Sequence, residues 1–258
     1  MSVSLSSLFK LLIITYLLCL FGCSRPREQS QGELVVAAAS DLVGALPELA
    51  REFEAHSGVK VVPSFGPSGA LAQQIANGAP FDLFLSADRK FLAQLVEGKQ
   101  VDGSSRRVYA IGRLVLYAPA LRLGSLSDLR RKEVRRISIA NPDIAPYGHA
   151  AKQALERAGL WKEIESKVVI AENIRQALDM AESGNVDASI TALSLVAASS
   201  PETKLTLPDQ IYDPIQQEAG IVIRPNSSPH AQAFLDYLSS PGGRKILHKY
   251  GFSFPNGT

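Results

Sequence analysis

The chain has 258 residues, of which 46% are hydrophobic, and its 27 basic and 25 acidic side chains leave a formal net charge of +2. This composition can bury one large core or two smaller ones, and it is not that of a disordered chain. Because the charges are balanced, the sequence has no basic surface typical of nucleic-acid binding. The two cysteines, Cys19 and Cys23, both lie near the amino terminus, which excludes a disulfide, a cysteine metal site and a thiol nucleophile from the folded part.

The amino terminus is predicted to be a secretory signal. After Lys10, the apolar run over residues 11–21 is too short to cross a bilayer core of about 30 Å as a helix. The sequence Leu20-Phe21-Gly22-Cys23 resembles the bacterial lipobox, in which the cysteine becomes the lipidated first residue of the mature protein. An ordinary signal cleaved a few residues later is the alternative. We therefore expect residues 1–22 to be a signal peptide, residues 23–32 a polar tether and the mature protein to be periplasmic or otherwise extracytoplasmic.

The first part of the body alternates strand and helix patterns. Strands are predicted at Leu34–Ala39, Val59–Val62 and Phe81–Leu85, and helices at Leu46–His56, Leu71–Ala76 and Phe91–Val96. An irregular turn is expected before the first helix because Pro47 lacks the N–H that an earlier helix would need. Ser68 and Asp88 are the predicted N-caps of the next two helices. This order predicts a parallel sheet with helical crossovers.

A second alternating series follows a long strand pattern over residues 108–117. Gly112 interrupts that pattern, which could therefore run from one domain to another. The next strands are predicted at Arg136–Ala140, Val168–Ile170 and Ala188–Thr191, with helices at Gly148–Ala158 and Asn173–Ala181. Residues 201–208 are predicted to be a loop. The chain is predicted to end with a strand at Glu218–Ile223 and helices at Pro229–Leu238 and Gly242–Tyr250.

Polar groups follow the predicted strands at four turns. Ser40 and Ser68 lie at two of them, and residues 141–148 and 172–174 present backbone N–H groups at predicted helix starts. For either serine alone, helix capping is a sufficient explanation. However, a helix N-terminus carries partial positive charge, and four such turns converging across a cleft would hold a small dianion.

The chain from Glu33 to Phe252 resembles the periplasmic molybdate-binding proteins, which deliver the oxyanion to an ABC importer. The resemblance implies an α/β, two-lobed type II periplasmic-binding-protein fold, in which each lobe is a mainly parallel sheet flanked by helices and crossing strands join the lobes. Residues 33–112 and 219–258 would form lobe 1, and residues 113–218 lobe 2. The resembling stretches are VVAAASDL at Val35–Leu42, FGPSGALAQQIANGAPFDLFLSAD at Phe65–Asp88, YAIGRLVLYAP at Tyr109–Pro119, ISIANPDIAPYGHAA at Ile137–Ala151, AENIRQAL at Ala171–Leu178 and VDASITALS at Val186–Ser194.

The same resemblance implies the residues that bind the ligand. They are the hydroxyls of Ser40 and Ser68 and the backbone N–H groups of Tyr147 and Ile174. Many members of the family also place a tyrosine hydroxyl where this sequence has Ala192, so the fifth contact is open, with Ser194 or a backbone group in its place.

The resemblance further implies what accompanies the ligand. No cofactor and no direct side-chain coordination of the metal are expected. The partner is the membrane permease of an ABC importer, and the protein is expected to be a monomer attached to the membrane through a lipid anchor at Cys23.

The charged residues near the four turns are expected to stay out of the site. No lysine or arginine lies within the turns, and Arg175, which follows Ile174, is expected to face solvent. Asp41 would repel an anion if its carboxylate pointed inward, so it is expected to face outward or to cap the irregular turn. The sequence thus predicts a site built from uncharged donors.

Three other functions are open to the same residues. One is a lipoprotein that senses the anion instead of transporting it, for which the sequence would look the same. Gly66-Pro67-Ser68-Gly69-Ala70 is one residue short of G-x-S-x-G, but no acid–base pair accompanies the serine, so an enzyme is not favoured. A protein of the same fold that binds sulfate is a closer alternative, because hydroxyl and amide donors suit any tetrahedral dianion. Phosphate is less suitable because its monoprotonated form needs an acceptor, which only Asp41 could offer. Nothing in the sequence separates molybdate from tungstate.

Overall fold

The computed structural model describes residues 32–255, so the predicted signal peptide, Cys23 and nearly all of the tether lie outside the described residues. Within residues 32–255, no helix is long and apolar enough to cross a membrane. The described chain folds into two five-stranded sheets with helices packed on their faces.

The strands and helices alternate through most of the described chain. The strands are β1 Glu33–Ala39, β2 Lys60–Gly66, β3 Leu83–Ser86, β4 Arg107–Gly112, β5 Leu114–Tyr117, β6 Ile137–Ala140, β7 Val168–Ala171, β8 Ala188–Ala192, β9 Lys204–Thr206 and β10 Ile215–Ile221. The helices are α1 Leu46–Ser57, α2 Ser68–Ala76, α3 Arg89–Glu97, α4 Pro146–Arg157, α5 Trp161–Ile164, α6 Ile174–Glu182, α7 Ala231–Ser239 and α8 Pro241–Lys249. Short 3-10 turns lie at Ser40–Leu42, Gly103–Ser105, Leu126–Arg130, Glu165–Lys167, Leu193–Leu195, Pro201–Thr203 and Asp209–Ile211.

The two sheets have the same plan. The strand order is β2-β1-β3-β10-β4 in the first and β7-β6-β8-β5-β9 in the second. In each sheet the strands of the βαβ series pair in parallel, and the strands near the crossings between the sheets pair antiparallel. We call the first sheet with α1, α2, α3, α7 and α8 the first lobe, and the second sheet with α4, α5 and α6 the second lobe. The predicted fold class, α/β with two lobes, is confirmed, but each sheet is mixed and not mainly parallel, because two of its four strand pairings are antiparallel.

Each sheet is covered by apolar helix faces on both sides. In β1, Leu34 and Val36 face α1, α7 and α8, whereas Val35 and Ala37 face α2 and α3. In the second sheet, β5 likewise directs alternate residues toward α4 and α6. Burying one Leu or Phe side chain contributes about 1.5–3 kcal/mol, so these two-sided cores hold the strand ends in fixed positions.

The register places corresponding turns side by side. Ala39 of β1 lies opposite Gly66 of β2, and Ala140 of β6 lies opposite Ala171 of β7. Because both pairs are parallel, the turns that follow these four residues leave each sheet at one edge. The edge of each sheet therefore carries two of the four predicted turns.

Three predicted elements differ from the structure. The strand over residues 108–117 is broken at Arg113 into β4 and β5, because the chain changes sheet there. The predicted loop over residues 201–208 contains β9, an edge strand of three residues, too short to give a strand pattern. The last strand begins at Ile215 instead of Glu218. Its first residues include two glutamines, which interrupt the apolar pattern by which a strand is predicted.

Candidate functional site

The four predicted turns meet at one narrow cavity between the lobes. The cavity encloses about 10 Å³, far below the roughly 300–1,000 Å³ of sites for drug-sized molecules. Ser40, Ser68, Tyr147 and Ile174 all line it. The remaining lining residues are Ala39, Asp41, Gly66, Pro67, Ala87, Ala145 and Pro146.

Ser40 is held at the cavity by the irregular turn that Pro47 imposes. β1 ends at Ala39, residues Ser40–Leu42 form a 3-10 turn, and α1 begins only at Leu46 with Pro47 as its second residue. The predicted delay of this helix is confirmed. Ser40 is 5% exposed, so its hydroxyl lies in a nearly dry environment.

Ser68 is the first residue of α2, and the prediction that it caps this helix is wrong. Pro67 occupies the cap position, because its fixed φ of −64° and extended ψ of 137° let the helix begin directly after it. The Ser68 Oγ accepts a hydrogen bond from the Ala87 N–H at 3.0 Å. That bond orients the hydroxyl and leaves its proton for another acceptor.

The second lobe contributes the starts of α4 and α6. Tyr147 is the second residue of α4 and Ile174 the first of α6, so neither N–H has an acceptor within its own helix. Asn173 caps α6 by accepting from the Gln176 N–H at 3.0 Å. A Cβ at Gly148 would lie 2.2 Å from the Ala140 carbonyl oxygen, so only glycine lets α4 approach β6 this closely.

Hydrogen bonds cross from one lobe to the other beside the cavity. The Gly69 N–H donates to the Ile144 carbonyl at 3.0 Å, and the Ser194 hydroxyl donates to the Asp41 carbonyl at 2.7 Å. The Tyr147 hydroxyl reaches the crossing strand β4, where a Cβ at Gly112 would lie 2.1 Å from it. The described structure is therefore a closed form of the cleft.

The fifth contact stays a prediction. Ala192 is fully buried at the end of β8, and Ser194 is buried in the 3-10 turn that follows. Neither is among the residues that line the cavity. The hydroxyl proton of Ser194 is engaged by the Asp41 carbonyl, which makes this serine a contact between the lobes.

The expectation for Asp41 is wrong, because its side chain turns inward. It is 1% exposed, and its Oδ2 accepts from Gln217 Nε2 at 2.8 Å. Burial raises the pKa of this carboxyl from 3.8 to about 7, against the opposing effects of the neighbouring Tyr147 hydroxyl and of the Gln217 amide. Sequence reasoning missed this contact because Gln217 lies 176 residues away, on a strand whose start was not recognised.

Arg175 does not reach the cavity. Its guanidinium pairs with Asp179 and Glu182 on α6 itself, and no lysine or arginine is among the described residues that line the site. No cluster of acidic, histidine or cysteine residues within the described chain could hold a metal ion. The cavity therefore offers hydroxyl and amide donors, and one of its lining residues, Asp41, carries a buried carboxyl.

Comparison with protein families identifies the chain's relatives. Residues 34–253 match the family model of the bacterial extracellular solute-binding proteins. The molybdate-binding protein ModA of Azotobacter vinelandii is 38% identical over 85% of this chain and 89% of the relative. That of Rhodobacter capsulatus is 34% identical over 86% and 88%. A putative ABC transporter substrate-binding lipoprotein of Bacillus subtilis, YvgL, is 29% identical over 93% and 95%.

The fold agrees with these sequence matches. The solved periplasmic molybdate-binding protein of Azotobacter vinelandii superposes with a TM-score of 0.82 at 34% identity, covering 86% of this chain and all of that one. The sulfate-binding protein SubI of Mycobacterium tuberculosis superposes with a TM-score of 0.68 at 16% identity, a likeness of fold alone.

Proposed function

The chain belongs to the family of bacterial extracellular solute-binding proteins, and from this premise we propose that it captures molybdate between its lobes and delivers it to the permease of an ABC importer. The single observation that carries the proposal is the convergence of Ser40, Ser68, Tyr147 and Ile174 on one cavity. The relatives named molybdate-binding, at 34–38% identity over most of the chain, support the choice of oxyanion.

The proposed site holds the dianion with uncharged donors. Two hydroxyls come from the first lobe and two N–H groups from helix starts of the second, where the partial positive charge favours an anion. Hydrogen bonds to a charged group are about twice as strong as neutral ones, and the buried cavity excludes competing water. Each donor contacts an oxygen atom of the ligand, and no side chain coordinates the metal itself.

We propose further that the protein is not an enzyme and works as a monomer without a cofactor. The Ser68 hydroxyl is hydrogen-bonded to a backbone N–H instead of a general base, which supports binding over nucleophilic catalysis. The small cavity also argues against an organic substrate.

Attachment to the membrane through a lipid on Cys23 is also a proposal. The motif Leu20-Phe21-Gly22-Cys23 supports it, as does the name of the Bacillus relative, a putative lipoprotein. Replacement Cys23→Ser should move the protein from the membrane fraction to the soluble fraction. If the variant still fractionates with lipid, the uncleaved apolar segment is the anchor instead.

Thermal unfolding with different oxyanions tests the choice of ligand. A ligand that binds only the folded state stabilises it by RT ln(1 + [L]/Kd), about 2.7 kcal/mol at a concentration of 100 Kd. We expect molybdate to raise the melting temperature at micromolar concentration and sulfate to require far more; tungstate, measured in parallel, fixes the preference between the two metals. Equal or larger shifts with sulfate would overturn the assignment to molybdate, and no shift with any oxyanion would reject the site.

A further inference from the structure

Asp41 is a buried acidic residue and one of those that line the proposed site. Its Oδ2 accepts from Gln217, but its Oδ1 is buried with no hydrogen-bond partner among residues 32–255. The residue is 1% exposed and lines the same cavity as Ser40 and Ser68. An ionised carboxylate with an unsatisfied, desolvated oxygen is costly, and a dianion beside it would raise that cost.

Among residues 32–255, no cationic side chain bonds to this carboxyl; Arg175 of α6, the helix that packs against the turn holding Asp41, is paired with Asp179 and Glu182. Tyr109 of β4, Tyr147 of α4 and Gln217 of β10 surround the group, and the Ser194 hydroxyl binds its backbone carbonyl. The Tyr147 hydroxyl lies beside the carboxyl, and Tyr109 donates to Gln217 Oε1 at 3.3 Å. Burial raises the pKa of both tyrosine hydroxyls well above 10, so both are neutral donors.

Two other buried carboxylates of the first lobe are arranged differently. Asp82 pairs with Arg224, and Glu218 pairs with Arg106 at 2.5 Å. Each of them is as buried as Asp41, yet each has a guanidinium beside it. Asp41 lacks this compensation at the place where the proposed function brings two more negative charges.

We propose that binding of the oxyanion is coupled to the uptake of one proton by Asp41, so that the occupied site contains a neutral carboxyl. This inference rests on the proposed function. The added proton removes the repulsion between carboxylate and dianion, and it supplies the O–H donor that an acid group offers only when protonated. Asp41 thereby joins the uncharged donors of the cavity in the bound state.

The pH dependence of binding follows from this coupling. Burial in the closed cleft raises the pKa of Asp41 to about 7, and the bound dianion raises it further. Below about pH 7 the carboxyl of the closed form already holds its proton, and the affinity should change little with pH. Above that pH each binding event must take up a proton, so the affinity should fall by up to about tenfold per pH unit.

The decisive experiment is calorimetric titration of the purified protein with molybdate between pH 6 and 9, in buffers of different ionisation enthalpy. We expect a proton uptake that approaches one per ligand above pH 8, and a Kd that rises with pH. Asp41→Asn keeps the shape of the side chain without its charge, and should bind with no proton uptake and no pH dependence. The matched control Asp236→Asn, at an exposed acid paired with Arg107, should keep the wild-type pH profile.

The outcomes separate this inference from the proposed function. If molybdate fails to bind the wild type at every pH, the proposed function is wrong. Binding with no proton uptake and a constant Kd would overturn the inference about Asp41 and leave the function standing. A folded Asp41→Asn variant that keeps the wild-type pH profile, or that has lost binding at pH 6, would overturn it as well. The proton uptake of the wild type decides the matter even if that variant does not fold.

Discussion

The two lobes bury different kinds of polar side chain. Among the described residues, the buried polar groups of the second lobe's side chains are hydroxyls: those of Ser138, Ser189, Thr191 and Ser194, and those of three buried tyrosines, Tyr117, Tyr147 and Tyr212. The first lobe buries hydroxyls, the amide of Gln217 and also three carboxylates, those of Asp41, Asp82 and Glu218. Since a buried charge needs a partner, the first lobe must compensate for a cost that the second lobe does not have.

The partners of these carboxylates divide them by role. Asp82 accepts from the N–H groups of Val35 and Ser228, each at 2.8 Å, and pairs with Arg224. It therefore joins the segment between β10 and α7 to β1. Glu218 joins β10 to Arg106. Both are structural contacts within one lobe. Asp41, with neutral partners drawn from both lobes, is the carboxylate that ligand binding can affect.

Loss of Asp82 should have the largest effect and should be confined to stability. Asp82→Ala leaves the N–H groups of Val35 and Ser228 and the guanidinium of Arg224 without their acceptor. Removing one member of a buried ion pair costs about 3–5 kcal/mol, which denaturant unfolding would measure. Ser138→Ala in the second lobe removes a single hydroxyl donor to the Ala177 carbonyl and should cost about 0.5–1.5 kcal/mol. Equal losses in the two variants would contradict the contrast between the lobes.

Loss of either serine of the first lobe should mainly reduce the affinity for molybdate. Ser40→Ala and Ser68→Ala should each weaken binding by about 1.5–3 kcal/mol, the range for a hydrogen bond to a charged group. Ser68→Ala should also reduce stability, because the Ala87 N–H loses its acceptor. Calorimetric titration measures the affinity. Wild-type affinity in both variants would reject the assignment of the site.

A side-chain change in the second lobe should have the smallest effect on binding. Ile174→Val keeps the backbone N–H that we propose as the donor, so the affinity should change by less than about threefold. The deleted methylene should cost about 0.5–1.5 kcal/mol of stability, since Ile174 is buried in the core. Titration and unfolding of the same sample test both values. An affinity loss as large as in the serine variants would show that the side chain, and not the amide, matters.

The parts of the site that follow local rules were predictable from the sequence. Ser40, Ser68, Tyr147 and Ile174 each follow a strand at the start of a turn or helix, and parallel pairing brings such turns to one edge. The four turns could be predicted in this way; the choice of Tyr147 and Ile174 within them came from the family resemblance, and the role of all four residues as ligands stays a prediction.

The surroundings of Asp41 were not predictable in this way. Its contacts with Ser194 and Gln217 join residues 153 and 176 positions apart, and they depend on how the closed lobes pack. The inward turn of its carboxyl also contradicts the local expectation that an acid beside an anion site faces solvent. Only the tertiary structure shows the hydrogen bond from Gln217 that holds it there.

Gly112, at the crossing between the lobes, allows a test of whether the lobes open and close as the proposed function requires. A methyl group at Gly112 would lie 2.1 Å from the Tyr147 hydroxyl, so the substitution Gly112→Ala should hinder the close approach of the two lobes. We expect the Gly112→Ala variant to stay in an open form even in the presence of molybdate. Its radius of gyration, measured by small-angle X-ray scattering, should then be larger than that of the wild type. The absence of a side chain at Gly112 thus leaves the space that the Tyr147 hydroxyl occupies in the closed form.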